Sequence, residues 1–333
     1  MKIFLTGATG FLGQCVAKTL QSQNHTVRVL VRKNSDKEKL EKLGLEAVIG
    51  NLENFSAAWL AGIDAVYHFA AIRYEWGFSW KEYKQSNIEG TEKLLQAAVK
   101  NKVGRFIYCS TAFVHGYPKN TLITEVSPYA PSSLYAKSKL EAEKIVLRYA
   151  HEQGLFSIII RPSMVYGPED THGMFMKLCR LIKSGKFIII GNGRNCIHLS
   201  YIDDIVAGFL QALDHGASGE AYLLASAGPI SLTDLVSLAG RELQVGQLPL
   251  KIPFLLAKVA GFLAEIIYAT GQKIGLKYFF REPFITRSKV DIIGGNQHFD
   301  ATKASEELGF IPKIGYPEGI RKTIKWYKSN GYL

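Results

Sequence analysis

The sequence predicts an α/β fold, a doubly wound parallel sheet with a smaller C-terminal lobe. Three observations carry this. Short apolar runs alternate with amphipathic stretches through the first half of the chain, a glycine-punctuated turn follows the first run, and the pattern changes after Arg161-Pro162.

The first run is Lys2 to Leu5, followed by the glycine turn and a helical segment from Phe11 to Gln23. Val27 to Val31 is the second run, a charged helical stretch follows Asp36, and Ala47-Val48-Ile49 is the third. Asp64 to Phe69 and Arg105 to Cys109 follow, with a helix near Lys81 to Lys100 between them. A long helical pattern from Ser132 to Gln153 leads to Phe156 to Ile160. Strands alternating with helices imply right-handed βαβ units and helices on both faces of the sheet. The domain boundary is expected at residue 162, giving a nucleotide domain over 1–162 and a substrate lobe over 163–333. In that lobe, strands at Lys186 to Ile190 and Ala221 to Leu224 are set among loops and helices, and a helix over Tyr201 to Leu213 is expected to pack back on the first domain.

Of the 333 residues, 47% are hydrophobic and 21% charged, which excludes a disordered chain or a fibre. Cys15, Cys109, Cys179 and Cys196 form no Cys-x-x-Cys pair and no His-Cys cluster at metal spacing, so thiols in a reducing, cytoplasmic setting are expected, with no metal. No uncharged apolar stretch reaches spanning length, and no apolar run near the start resembles a secretory segment. The formal charge of +11 implies an anionic partner but does not choose it.

The first turn reads Thr6-Gly7-Ala8-Thr9-Gly10-Phe11-Leu12-Gly13. Glycines between a strand and a helix let the backbone turn tightly and bring N–H groups against a pyrophosphate at the helix N-terminus. At the end of the second run, where NAD sites carry an acidic residue for the ribose, this chain has Val31-Arg32-Lys33. Two cations and no carboxylate favour a 2′-phosphate, hence NADP over NAD.

Tyr135 and Lys139 are four residues apart on the long helix and so share a face. A nearby ammonium is expected to lower the phenol's pKa and make the pair a proton-transfer group. Lys137 points elsewhere and reads as a surface lysine. Ser110-Thr111 stands at the carboxyl end of a parallel strand, where ligands bind in such sheets.

The Gly7, Gly10, Gly13 turn, the Ser110-Thr111 strand end and the Tyr135/Lys139 pair resemble the extended short-chain dehydrogenase/reductase family, the NAD-dependent epimerase/dehydratase group with its Rossmann-type domain. Asn87 to Thr91, Arg161 to Pro168 and Phe299 to Ala304 extend the likeness to the C-terminus. The resemblance implies that Tyr135 is the catalytic acid/base, that Lys139 holds the nicotinamide ribose, and that Thr111 hydrogen-bonds the substrate oxygen, with Ser110 as a rival. It also places Phe11 and Leu12 along the pyrophosphate, Asn51 and Leu52 by the adenine, Ala70 along the dinucleotide and Pro162 in the cofactor site. Asn51 stands where members usually have Asp, and Asn87 is given a structural role beside the active-site helix.

Within that family, nucleotide-sugar epimerases carry Asn where this chain has Met164. The stretches Arg161-Pro162, Gly191 to Asn195 and Ser200 to Asp204 look instead like the 3β-hydroxysteroid dehydrogenase and dihydroflavonol reductase branch. The resemblance therefore implies an NAD(P)-dependent oxidoreductase interconverting a secondary alcohol and a ketone on a hydrophobic small molecule, with a nucleotide-sugar epimerase, dehydratase or reductase as the alternative and a non-catalytic dinucleotide-binding regulator as a remote one. It also suggests a homodimer.

Two features offer apolar walls. Tyr74, Trp76, Phe78 and Trp80 recur every second residue, and residues 252–280 form a largely apolar helix whose Lys258, Glu265 and Gln272 fall in one narrow polar stripe. Such a helix is buried, covers a lipid-like ligand, or makes peripheral contact with a membrane. The surplus charge lies in residues 28–42, 248–281 and 313–328, at +3, +4 and +4. The first holds the proposed phosphate site and the second flanks the apolar helix, so no nucleic-acid partner is expected.

Overall fold

A computed structural model of the chain describes residues 1–32, 44–73, 77–117, 122–246, 250–273, 283 and 285–333. Lys33, the stretch after Asp36, Tyr74, Trp76 and residues 274–280 lie outside the described residues.

Strands β1 (Lys2–Thr6), β2 (Thr26–Val31), β3 (Glu46–Ile49), β4 (Ala65–His68), β5 (Arg105–Cys109) and β6 (Ser157–Pro162) form one parallel sheet with β11 (Ala221–Leu224), in the order β11-β6-β5-β4-β1-β2-β3. Period-two alternation assigns the two faces. Ile3, Leu5, Tyr67, Ile107 and Ile158 point into one core, while Phe4, Val66, Phe106, Tyr108 and Ile159 point into the other. The first core is covered by α1 (Phe11–Ser22) and α5 (Ile202–His215), the second by α2 (Gly90–Lys100) and α3 (Leu134–Gln153). Both faces are therefore buried, and the strand centres carry apolar residues on both faces.

β1 has β2 on one side and β4 on the other, so the chain direction around the sheet reverses there. A crevice opens at such a switch point, at the carboxyl ends of the strands.

The helix expected near Lys81 to Lys100 is not uniform. A turn at Trp80–Tyr83, capped by Ser79, runs into a π-helical segment at Lys84–Glu89 before α2. π-Segments are rare and concentrate where a side chain must be re-aimed; Asn87 sits in this one.

The sheet does not end at Pro162. Ala221–Leu224, expected inside the C-terminal lobe, is its seventh strand, pairing with β6 so that Leu224 lies opposite Pro162. The reason is burial: Tyr222 and Leu224 extend the first core and Leu223 joins a separate apolar cluster, which a loop position would leave in water. α5 packs on the first core through Phe209, whose carbonyl accepts a hydrogen bond from Tyr67 at 3.1 Å.

The rest of the C-terminal half is built from two-stranded pieces. β7 (Met164–Tyr166) pairs with β10 (Leu199–Tyr201), β9 (Cys196–Ile197) with β12 (Ile230–Ser231), and β8 (Ile188–Ile190) with β13 (Leu250–Ile252). Helices α4 (Met174–Lys183), α6 (Leu232–Leu243), α7 (Phe254–Lys273), α8 (Arg287–Gly294), α9 (Thr302–Leu308) and α10 (Tyr316–Ser329) complete it.

Candidate active site

The glycine turn is built against the end of β4. Gly7 has φ +82, in the left-handed region, and a Cβ there would stand 2.8 Å from the Ala70 nitrogen. Gly10 N–H donates to the Gly7 carbonyl at 2.9 Å, and a side chain on Gly13 would overlap that same carbonyl. α1 starts at Phe11 with no side-chain cap and no acidic residue in its first turn, so its N-terminal N–H groups face a cleft without a cap of their own; Glu169, which accepts from Gln14 at 3.2 Å and pairs with Lys18, lines the cleft beside them.

That cleft has a volume of about 1010 Å³ and runs along the carboxyl ends of β1, β2 and β4. Of the cofactor residues expected from the sequence, Gly7, Gly10, Phe11, Arg32, Asn51, Leu52 and Ala70 line it. Leu12 packs against the first core, Gly13 lies behind Gly7, and Pro162 is buried at the end of β6 opposite Leu224. None of these three lines the cleft, and neither do Tyr135 and Lys139, which were also expected to hold the dinucleotide. Asn51 is oriented by its own turn: its side-chain oxygen accepts from Asn54 N–H at 2.8 Å, which leaves the amide NH₂ for a ligand. Arg32 is exposed at the cleft edge.

Tyr135 lies in the first turn of α3, whose N-cap Ser133 accepts from Ala136 N–H at 3.1 Å. Lys139, one turn on, is 2% exposed, and its ammonium lies 4.1 Å from the centre of the Tyr108 ring. Burial pushes its pKa down to about 8, opposed by Cys109 and Glu143. Tyr135 departs from expectation. Burial drives its phenol well above the ordinary value, Cys109 adds to this, and the cation that opposes it is Arg73. Desolvation of a phenolate outweighs one neighbouring charge, and the Lys139 charge is felt instead by His68 and Cys109. Tyr135 is thus a neutral O–H donor at neutral pH, and Cys109, held up to about 11 by burial, stands within electrostatic reach of both it and Lys139.

Thr111 follows β5 and caps a short 3₁₀ turn, accepting from Phe113 N–H at 3.3 Å. With that acceptor site used, its hydroxyl hydrogen remains to be donated. Ser110 Oγ is 1% exposed and has no partner among the described residues.

Three supports hold the site; the first has the structural role that the resemblance implied for Asn87, and the other two were missed from the sequence. Asn87 clamps the site: its side-chain oxygen accepts from Ile72 N–H at 2.7 Å, and its NH₂ donates to the Ile72 carbonyl and to Ser138 Oγ, both at 2.9 Å. Ser138 in turn donates to the Tyr135 carbonyl at 2.8 Å, so the cleft edge and the catalytic helix are joined by one amide. Second, a buried chain runs from Thr6 through His68 to Thr91. Thr91 donates to the Asn87 carbonyl, so His68 Nε2 carries the proton and donates to Thr91 at 2.8 Å, while Thr6 donates to Nδ1 at 2.6 Å. Burial holds that imidazole neutral.

Third, Arg161 at 1% exposure pairs bidentately with Glu143, at 3.0 Å through Nε and 2.7 Å through Nη2. It also donates to the Glu125 carbonyl at 3.0 Å and to Tyr129 at 2.7 Å. A signal was present, since Glu143 continues the four-residue series Tyr135, Lys139 along one helix face.

Of the aromatic series, Phe78 lines the cleft and the Trp80 ring carries the Lys137 ammonium 4.9 Å from its centre. A separate small pocket of about 60 Å³ opens beside Met164, walled by Met174, Leu178, Leu181, Ile197 and Ile293.

A profile described as the NAD dependent epimerase/dehydratase family matches residues 3–225. The chain belongs to that family. Among members of the NAD dependent epimerase/dehydratase family and its relatives, it is 29% identical to the 2-alkyl-3-oxoalkanoate reductase of Stenotrophomonas maltophilia (strain K279a), over 97% of this chain and 98% of that one. It is also 29% identical to the 3-beta-hydroxysteroid dehydrogenase of Mycolicibacterium neoaurum, over 98% of this chain and 91% of that one. The crystal structure of gox2253 superposes with a TM-score of 0.83 at 28% identity, covering 100% of this chain and 99% of that one. The dinucleotide of the family fits the cleft: the turn packs too tightly for side chains at Gly7 and Gly13, and its backbone at Gly7, Thr9 and Gly10, with the start of α1, lines the cleft.

Proposed function

We propose that the protein is an NADP-preferring reductase that interconverts a ketone and a secondary alcohol on a hydrophobic small molecule. The observation that carries the substrate class is the pocket beside Met164. β5 and β6 are neighbours, with Cys109 opposite Ile160, so Thr111 and Met164 leave the sheet at the same end. The pocket beside Met164 is walled almost wholly by Met, Leu, Ile and Phe side chains, and at about 60 Å³ it takes a small apolar group of a substrate rather than a whole ligand; neither Thr111 nor Tyr135 lines it. A nucleotide sugar needs several convergent polar groups in that place, whereas an apolar ketone needs walls and one oriented oxygen. The named relatives, a 3-oxoalkanoate reductase and a hydroxysteroid dehydrogenase, support the same reading.

The nicotinamide, when bound, supplies a hydride to the carbonyl carbon. Thr111 donates a hydrogen bond to the carbonyl oxygen and fixes its position. Tyr135, neutral because it is buried, gives its phenolic proton to that oxygen as negative charge develops. Lys139 provides a buried positive charge one turn away, and Asn87 and Ser138 hold the helix that carries both. Arg32, exposed at the cleft edge, favours the 2′-phosphate.

The test follows NADPH absorbance with β-keto acids, steroid and flavonoid ketones, and nucleotide sugars. Consumption with an apolar ketone, lost in Tyr135→Phe with dinucleotide affinity retained, is the expected result. Epimerisation of a nucleotide sugar without net NADPH loss would overturn it.

A further inference from the structure

Helix α7 is packed inside out. Its small and charged residues face the protein: Ala257 is fully buried, and Gly261 lies against the Thr286–Arg287 backbone so closely that a Cβ would stand 2.8 Å from the Arg287 nitrogen. Lys258 pairs with Asp291 at 2.6 Å and Glu265 with Arg287 at 2.7 Å, tying the polar stripe to α8. The large apolar residues point outward, with Leu255 73%, Leu256 60%, Leu263 52% and Ile267 70% exposed, and Leu250 on the adjoining strand 78%. Burial of this helix, one of the alternatives open from the sequence, is therefore not what the fold does. Exposed apolar residues are ordinarily scattered; a contiguous row of them marks a contact surface.

We infer that this face docks on an anionic lipid bilayer, with α7 lying in the interfacial plane. Charge selects the partner. In sequence, residues 248–281 carry five Lys or Arg against one acid, so an anionic headgroup layer complements the charge of this segment, while a second copy would add like charge to it. Geometry selects the mode. The window Phe254–Gly271 has a mean hydropathy of 1.5 and is long enough to cross a membrane, yet crossing would strip Lys258 and Glu265 of their partners on α8 and place them in hydrocarbon. Lying flat keeps both ion pairs and buries only the outward row.

The surface also adjoins the apolar pocket. Ile293 of α8 belongs both to the cluster beneath α7, with Ala257 and Val290, and to the wall of the pocket that contains Met164. A bilayer-dissolved molecule would thus meet the pocket across a single helix. Docking itself stands independently of the proposed reaction, because its test reads lipid binding alone.

The full chain is floated with vesicles of phosphatidylcholine and of phosphatidylcholine mixed with phosphatidylglycerol. Flotation with the anionic vesicles, weakened by salt, is expected. Leu263→Glu combined with Ile267→Glu should lower the bound fraction by about tenfold or more, because two buried aliphatic groups become charges. Both sites are exposed, and unchanged NADPH affinity in the variant checks its fold. Equal flotation of variant and parent, no flotation of the parent, or equal binding to both vesicle types would overturn the inference. So would a parent that dimerises through this face, with a monomeric variant and no vesicle binding by either.

Discussion

The Lys139 ammonium rests on the face of the Tyr108 ring, 4.1 Å from its centre, with its pKa pushed down to about 8 by burial. The lysine is charged below that pH and neutral above it. Reduction, which uses the positive charge beside Tyr135, should have a kcat/KM that is level toward acid and falls as pH rises through about 8. Lys139→Met should lower the plateau and erase this limb, and Lys139→Arg should carry the limb beyond the measurable range, since a guanidinium stays charged. A limb that persists at the same pH in Lys139→Met would remove the assignment.

Arg161 and Glu143 are each about 1% exposed and joined by two hydrogen bonds, so the pair survives only as a pair. Glu143→Gln leaves the guanidinium buried without its anion and should cost about 3–5 kcal/mol. Replacing both partners, as Glu143→Leu with Arg161→Met, should recover much of that loss. Urea midpoints measure both, and a single variant within about 1 kcal/mol of the parent would contradict the reading.

Arg32 borders the cleft at the end of β2, and the cleft lining there also includes Asn51 and Glu53. Arg32→Ala should weaken NADPH by about tenfold to a hundredfold, the range of one charge-assisted hydrogen bond, and leave NADH nearly unchanged. Titration of both cofactors gives the ratio, and an unaltered ratio refutes the preference.

Gly13→Ala places a methyl group into the Gly7 carbonyl. The turn must shift, which should cost about 1–3 kcal/mol and loosen dinucleotide binding. Gly228→Ala, where a Cβ meets nothing within 4 Å, is the matched control and should bind as the parent does.

Several parts of this site were legible because they are local. The Tyr135/Lys139 spacing and the glycine turn are short-range patterns, and each maps to one element, α3 and the β1–α1 corner. The tyrosine's pKa was not legible, since burial among β5, Cys109 and the neighbouring helix outweighs the cation that the spacing suggested. The resemblance gave Asn87 its structural role, but not its partners Ile72 and Ser138, which lie 15 and 51 positions away.

By itself the sequence determined the alternation of strands and helices, the glycine turn between β1 and α1 and the shared helix face of Tyr135 and Lys139, because period two, period 3.6 and glycine's backbone freedom act within a few residues. The tertiary structure alone decided that Ala221–Leu224 closes the sheet beside β6, that Arg161 finds Glu143, and that α7 turns its apolar side outward. An apolar helix with a polar stripe reads the same whichever side faces water; here Asp291 and Arg287 on α8 hold the stripe inward, and that choice leaves the leucines and isoleucines turned outward and exposed among the described residues.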